Sequence, residues 1–252
     1  MSAQERASVA NPKSTAPKIP WLGTDWDYWF DRETWSSLMA FLLLSGGILL
    51  VALPNTTEVG RLTPKSMEAT DLFSALYSIL FGILAITLGQ AELSWGHRLS
   101  SQEHFVHLFS RLVVPLVLSL PYWILYIFAN IMSPLLIIVL LVHFILYGYV
   151  LGLCGWRLSL MGQSEIFQFN IKYLSYFGLV AITFFAAPLQ FINPILAITE
   201  ILGENGMAPA LNLLGFYTAW LALGAVIAYL ILHKLNTENR EMEEYENELS
   251  RR

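Results

Sequence analysis

The stretch from Gln90 to Leu112, QAELSWGHRLSSQEHFVHLFSRL, is a polar, mixed-charge segment between two long apolar runs. Ser100 and Glu103 have the spacing of a capping box, which marks the start of a helix. Behind that cap, apolar residues recur at helical spacing, and polar residues occupy the other faces. The pattern predicts a short amphipathic helix with an apolar stripe of Phe105, Val106, Leu108, Phe109 and Leu112, and with Glu103, His104, His107 and Arg111 on other faces.

The composition is that of a membrane protein. Of the 252 residues, 56% are hydrophobic and only 13% are charged, which is about half the charged fraction of a typical soluble domain. So much apolar surface exceeds what a water-soluble core of this size would bury, so lipid is expected to cover much of it. The single cysteine, Cys154, excludes a disulfide within the chain.

Six apolar segments of 17 to 22 residues are each close to the roughly 20 residues that cross the hydrocarbon layer. They are expected to be helices, because lipid offers no partner to an unpaired backbone amide. Pro115 and Pro121 are expected to bend the third. The sequence thus predicts an all-α polytopic membrane protein with spans at Trp35–Leu53, Leu72–Leu88, Leu112–Ala129, Leu135–Leu153, Tyr173–Phe191 and Leu211–Leu232.

The segments around these spans divide the chain into four parts. Residues 1–20 form a polar tail whose composition is typical of disorder, and residues 21–34 interleave aromatics with Asp25 and Asp27, as in an amphipathic helix at the membrane interface. Residues 35–232 form the transmembrane domain, and residues 233–252 a charged C-terminal helix.

The connection between the fifth and sixth spans, NPILAITEILGENGMAP, is unusually apolar for a loop. Asn193 suits a helix N-cap, Pro194 the first helical position and Gly203 the stop. The pattern predicts a short helix that re-enters the outer leaflet. Glu200 would then lie near an interface, although a solvated carboxylate on a surface helix remains an alternative.

The distribution of basic residues predicts the orientation. Twelve of the fourteen Lys and Arg residues lie in alternate segments: the two tails, the second-to-third loop and the fourth-to-fifth loop. Because cytoplasmic segments carry the excess of basic residues, both termini and the Gln90–Leu112 stretch are expected in the cytoplasm.

Motifs for chemistry are scarce. The centres of the spans lack Asp, Glu, Lys and Arg, and His143 is the one titratable side chain well inside a span. His104 and His107 have a spacing that could share a metal, but no third ligand stands at a suitable distance, so no metal site is predicted. No nucleotide-binding loop or hydrolase motif occurs, and the chain is not expected to be an enzyme or to bind nucleic acid.

The arrangement resembles the membrane subunits of ABC transporters of the ABC-2 type. The resemblance covers roughly Trp21 to Leu235 and is closest from Glu92 to Pro115 and in PLQFINPI, Pro188 to Ile195. It departs at Trp95-Gly96-His97-Arg98, where many relatives carry more charge. It implies that the 100–111 helix is a cytoplasmic coupling helix, with contact residues Glu92, Arg98, Ser100, Glu103, His104, Phe105, His107, Leu108, Phe109 and Arg111.

The resemblance also implies partners. A separate ABC-type ATPase subunit would hold ATP and magnesium, so this chain would need no cofactor, and a second permease subunit would complete the pathway. The expected substrate is apolar or amphipathic, and the expected location is a bacterial inner or plasma membrane. Two other functions stay open from the sequence: an accessory or assembly subunit that docks a cytoplasmic partner without transport, and a secondary carrier, which the uncharged span centres disfavour.

Overall fold

The computed structural model describes residues 32–52, 64–95, 101–162, 164–202 and 211–251. The predicted polar tail, most of the predicted interfacial helix, Arg98 and Ser100 lie outside the described residues. All regular structure in the described ranges is helical, which confirms the predicted all-α class. The α-helices are α1 Arg32–Ala52, α2 Pro64–Ala91, α3 Ser101–Ala129, α4 Leu136–Ser159, α5 Glu165–Phe185, α6 Pro194–Leu202 and α7 Leu211–Arg251, and 3-10 helices cover Glu92–Trp95 and Ala187–Ile192.

Five of these helices are long and apolar enough to cross a membrane. The qualifying stretches are Thr34–Ala52 of α1, Leu72–Ala91 of α2, Gln102–Ala129 of α3, Leu136–Ser159 of α4 and Leu213–Thr237 of α7. The predicted fifth span, Tyr173–Phe191, is wrong as one continuous helix. Helix α5 ends at Phe185, Ala186 is extended, and a 3-10 helix follows. Pro188 explains the break, because it has no backbone N–H to donate to the carbonyl oxygen of Phe184, which accepts from the Gln190 side chain instead.

The predicted short helix and the predicted third span are one helix in the structure. Helix α3 runs for 29 residues from Ser101 to Ala129, and Pro115 and Pro121 lie inside it without ending it. No glycine or proline lies between Ser101 and Leu112 to end a helix there. At about 1.5 Å per residue, α3 is longer than the hydrocarbon layer is thick, so one of its ends extends beyond that layer.

Helices α2 and α4 form the centre of the bundle, and glycines bring their backbones into direct contact. A Cβ atom on Gly89 would lie 1.8 Å from the carbonyl oxygen of Gly152, and one on Gly155 would lie 2.1 Å from that of Ile86. No other residue fits at either position without a shift of a helix. Small residues are the usual means by which helices approach closely in membranes.

Aromatic side chains fill the space where α2, α3 and α4 meet. The rings of Tyr77 and Trp123 lie 5.0 Å apart, and those of Tyr77 and Phe144 lie 4.9 Å apart, both edge to face. The Tyr77 hydroxyl lies 2.6 Å from the Ser119 hydroxyl, so the one polar atom of this ring has a partner. Interlocked rings of this kind fix the register of α2 against α3 and α4.

The remaining elements pack around this centre. Helix α1 packs on α2, α3 lies against α4 and α1, and α7 lies along α4. Helix α6 begins at an N-cap, Asn193, whose Oδ1 accepts hydrogen bonds from the amides of Ile195 and Leu196. Helix α7 continues without interruption from its apolar part into the charged C-terminal residues.

Candidate functional site

Polar side chains converge where α2 ends and α3 begins. Helix α2 ends at Ala91, and Glu92 opens the 3-10 helix that follows. On α3, His104, His107 and Arg111 are spaced by three and four residues, so they share one face of the helix. This face points at Glu92. Glu92 precedes His104 by only 12 residues and Arg111 by 19, so the short connection between α2 and α3 brings the four side chains together.

Glu92 binds all three of these side chains. Nη1 of Arg111 donates to Oε1 of Glu92 over 2.8 Å. Nδ1 of His107 lies 3.0 Å from Oε2, and Nδ1 of His104 lies 3.2 Å from the same oxygen. An ionised carboxylate only accepts hydrogen bonds, so each Nδ1 carries the hydrogen in this network. The second nitrogen of the guanidinium, Nη2, donates to the hydroxyl of Thr34 on α1 over 3.1 Å. We call these five residues the Glu92 cluster.

The Glu92 cluster is buried. Glu92 and Arg111 are 0% exposed, and His107 and His104 are 2% and 4% exposed. Burial by itself raises the pKa of Glu92, but hydrogen bonds from His104 and His107 and the charge of Arg111 outweigh it and lower that pKa to about 2. The carboxylate and the guanidinium compensate each other, so the two buried charges sum to zero.

Helix α4 supports the cluster from the side. The indole of Trp156 lies 5.2 Å from the ring of His104 and 5.1 Å from the ring of Phe105, the second contact edge to face. The hydroxyl of Tyr149 reaches the carbonyl oxygen of Phe105 at 3.4 Å. Elements α1, α2, α3 and α4 therefore all meet at the cluster or its immediate neighbours.

The predicted amphipathic helix buries members of both of its faces. The polar residues His104, His107 and Arg111 are buried together with Leu108 and Leu112 of the apolar stripe, whereas Val106 and Phe109 of that stripe are 44% and 43% exposed. The segment belongs to a helix that is long and apolar enough to cross a membrane, and lipid, unlike water, favours apolar side chains on the outside.

The ten predicted contact residues occupy different environments in the structure. Glu92, His104, His107 and Arg111 come together in the buried cluster, and Leu108 is buried beside them. Phe105 packs on Trp156 within the chain. Glu103 and Phe109 lie on other sides of α3. Nothing is described for Arg98 and Ser100.

Sequence reasoning missed two features of this site. Thr34 precedes Arg111 by 77 positions, and no local pattern connects them. The pairing of Glu92 with the α3 residues did leave a signal: one carboxylate at the end of an apolar run, followed by two histidines and an arginine at helical spacing. The resemblance instead implies that these residues contact a partner, whereas the structure buries them within the chain.

The imidazoles of the cluster, which are of a type that can ligate metals, direct their Nδ1 atoms at Glu92. Both Nδ1 atoms face the Glu92 carboxylate, and Arg111 occupies one of its oxygens. In the part of the chain that the structure describes, no group of three His, Cys, Asp or Glu side chains is placed to hold a metal ion. The arrangement is that of a hydrogen-bonded ion pair.

Two further polar groups lie away from the cluster. Nζ of Lys172 on α5 donates to the Thr87 hydroxyl on α2 over 3.0 Å. His143 is 0% exposed and stacks on Phe216 of α7, with ring centroids 4.9 Å apart. The first contact joins α5 to α2, and the second joins α7 to α4.

Comparison with known proteins finds no matching family model, no matching curated protein and no matching solved structure.

Proposed function

We propose that this chain is the membrane subunit of an ATP-driven transporter of the ABC-2 type, which moves an apolar or amphipathic substrate. A separate ATPase subunit would supply the energy, and a second permease subunit would complete the pathway. ATP and magnesium would reside in the ATPase. This chain would supply the membrane helices that move during transport.

The Glu92 cluster is the observation that carries the proposal. Glu92 belongs to the short connection between α2 and α3, and it is hydrogen-bonded to three side chains of α3. Arg111 extends that network to Thr34 of α1. A displacement of the connection would therefore be transmitted to three helices at once. Packed helices that share such a joint move as rigid bodies.

Two features of the chain support the proposed topology of six spans with both termini in the cytoplasm. Helix α5 has 21 residues, which at about 1.5 Å each is enough to cross the hydrocarbon layer. The excess of basic residues in alternate segments favours a cytoplasmic position for the α2–α3 connection, where an ATPase subunit would meet it.

The proposed point of contact is tested by photo-crosslinking from Leu93. This residue is 48% exposed and adjacent to Glu92. Leu93 would be replaced by benzoyl-phenylalanine in the full chain, expressed with the genes that neighbour it. The expected product is a covalent adduct with an ATPase that carries a P-loop, identified by mass spectrometry, and its ATP turnover should depend on the membrane chain.

Leu43 provides the matched control. It is 76% exposed on α1 and lies within an apolar span, so a crosslinker there should capture no ATPase. A stable complex that forms at Leu93 but contains no ATPase would favour the accessory or assembly role. Gradient-driven uptake by the chain alone in liposomes would favour a secondary carrier. Either outcome would overturn the proposal.

A further inference from the structure

Helix α5 is attached to the rest of the bundle mainly by polar side chains. Its buried residues, among those whose side chains the structure describes, are Lys172, Tyr176 and Thr183. They are spaced by four and seven residues, so they share one face of the helix. Large apolar residues lie on other faces: Leu174 is 76% exposed and Phe185 is 83% exposed. Leu179 and Val180 pack against the core but are only partly buried, so α5 buries little apolar surface.

Two contacts join the first half of α5 to α2 and α4. Nζ of Lys172 donates to the Thr87 hydroxyl of α2 over 3.0 Å. The hydroxyls of Tyr176 and Tyr147 are hydrogen-bonded to each other, and they lie 3.3 and 3.4 Å from the carbonyl oxygen of Ser78. Thr87 and Ser78 belong to the apolar span of α2, so α5 lies alongside that span. We call these two contacts the α5 latch.

Gly82 of α2 provides the space for the two tyrosine hydroxyls. A Cβ atom on Gly82 would lie 2.5 Å from the Tyr176 hydroxyl and would also overlap the Tyr147 hydroxyl. Because packed atoms do not approach so closely, any side chain at this position would push both hydroxyls away from the Ser78 carbonyl. The α5 latch can therefore be disturbed from α2, without a change on α5.

The second half of α5 is held at its end by a buried asparagine. Nδ2 of Asn193 donates to the carbonyl oxygen of Val180 over 3.0 Å and to the Thr183 hydroxyl over 2.9 Å. Asn193 is 0% exposed, and its Oδ1 caps α6. Between α5 and this asparagine, Ala186 is extended, with φ −87° and ψ 99°. A non-helical residue at the end of a helix is where a hinge can absorb a change in backbone angles.

The α5 latch is weak compared with the contact between α2 and α4. Close packing holds membrane helices together, but the glycine of α5, Gly178, meets nothing within 4 Å. One hydrogen bond between membrane helices shifts an equilibrium only about threefold on average. The connection from α4 contains Gly162, whose φ of +63° is a conformation that glycine adopts freely. Elements with few buried apolar contacts are those that open most easily.

We propose that α5 swings away from α2 and α4 as a rigid helix, with its Asn193 end fixed and the α5 latch open. The movement uncovers Thr87, Tyr147 and the carbonyl oxygen of Ser78, so a polar face of α2 and α4 becomes accessible from the bilayer. The proposal requires only that α2 and α5 lie side by side in the membrane. It does not rest on the transport function.

The test measures two distances by double electron–electron resonance, in the full chain with Cys154 replaced by alanine and in nanodiscs that hold one chain each. One pair of spin labels is attached at Leu174→Cys of α5 and Leu43→Cys of α1. The other pair is attached at Leu43→Cys and Val226→Cys of α7. All three positions are more than half exposed. We expect two components in the first distance and a single component in the second.

Three variants open the α5 latch in different ways. Tyr176→Phe removes the hydroxyl and keeps the ring, and Lys172→Met removes the ammonium. Each should raise the ratio of the displaced to the latched component about threefold. Gly82→Ala should raise this ratio at least as much, because the methyl group displaces both hydroxyls. Gly178→Ala is the matched control and should leave the ratio unchanged.

Two outcomes would overturn the proposal. The first is a single component in the distance from α5 to α1 that none of the three variants changes, since α5 would then stay in place without the latch. The second is an equal change in the distance from α1 to α7, since the variants would then loosen the whole bundle and α5 would not move by itself.

Discussion

Glu92 shows how a charge is kept in an apolar environment. It is fully buried, and its two oxygens receive hydrogen bonds from two imidazoles and a guanidinium. A buried ion pair adds little to stability compared with apolar residues of the same size, but breaking it by removing one partner is costly. The expected consequence is a site that tolerates paired changes better than single ones.

The variant Glu92→Gln leaves the guanidinium of Arg111 buried without its counter-charge. We expect a loss of about 3–5 kcal/mol in the free energy of unfolding, because the desolvated charge is no longer compensated. Unfolding in detergent, followed by tryptophan fluorescence, measures the effect. The matched control is Glu200→Gln, since Glu200 lies on α6, lines a cavity there and is not a member of the Glu92 cluster.

A double variant makes this prediction specific. In Glu92→Gln combined with Arg111→Gln, both charges are absent, and the total loss should fall short of the sum of the single losses by about 0.5–3 kcal/mol. Strictly additive losses in unfolding free energy would show that Glu92 and Arg111 do not interact, which would contradict the hydrogen bond between them.

The pH dependence of stability follows from the same carboxylate. The pKa of Glu92 is lowered from 4.5 to about 2 in the folded state, so the folded chain binds fewer protons than the unfolded chain between these values. The stabilisation, about 3 kcal/mol, is complete above pH 4.5 and is lost as the pH falls through about 2. The difference in unfolding free energy between wild type and Glu92→Gln should narrow over that interval. A difference that is constant from pH 6 to about 2 would contradict the assignment.

At the scale of elements, the contact between α2 and α4 depends on glycine. A methyl group at Gly89 would overlap the backbone oxygen of Gly152, which cannot rotate away as a side chain would. Both glycines lie within helices, where glycine is otherwise unfavourable by about 1 kcal/mol relative to alanine. Close approach of the two backbones offsets that cost.

The variant Gly89→Ala is therefore expected to destabilise the bundle by about 1–3 kcal/mol or more, because α2 and α4 must separate to admit the methyl group. Gly178→Ala on α5 is the control, since a Cβ there meets nothing within 4 Å and alanine should be neutral or favourable. Detergent melting curves of the two variants give the comparison. An equal effect of the two changes would mean that helix propensity, and not the contact, determines the result.

Helix α3 shows why an amphipathic pattern is ambiguous in a membrane protein. The spacing of His104, His107 and Arg111 correctly indicates one face, but it does not say which medium the other face meets. In α3 the polar residues are buried with Leu108 and Leu112, and the apolar residues Val106 and Phe109 are exposed. The spacing identifies the polar face, and the hydrogen bonds to Glu92 determine that this face is buried.

At the scale of the whole molecule, the topology can be tested with two exposed positions. Leu93 lies in the connection between α2 and α3, and Ile131, which is 94% exposed, lies between α3 and α4. In a chain whose Cys154 is replaced by alanine, we expect Leu93→Cys to react with a membrane-impermeant maleimide only from the cytoplasmic side, and Ile131→Cys only from the other side. Labelling of both from one side would show that α3 does not cross the membrane.

The sequence by itself determined the class of the protein and most of the helices. Apolar runs near 20 residues long require helices that satisfy their own backbone hydrogen bonds, and this requirement depends on the local chain alone. The sequence also singled out four members of the Glu92 cluster, Glu92, His104, His107 and Arg111, because the α3 members are spaced along one helix, but it gave no sign of Thr34.

Only the tertiary structure decided how those residues are used. It brought Thr34 to Arg111 across 77 positions and set the backbone of α2 against that of α4 at Gly89 and Gly152. It also turned the polar face of α3 toward Glu92. These outcomes depend on which surfaces meet other helices and which meet lipid, and that information resides in the packing of distant segments rather than in the spacing along any one of them.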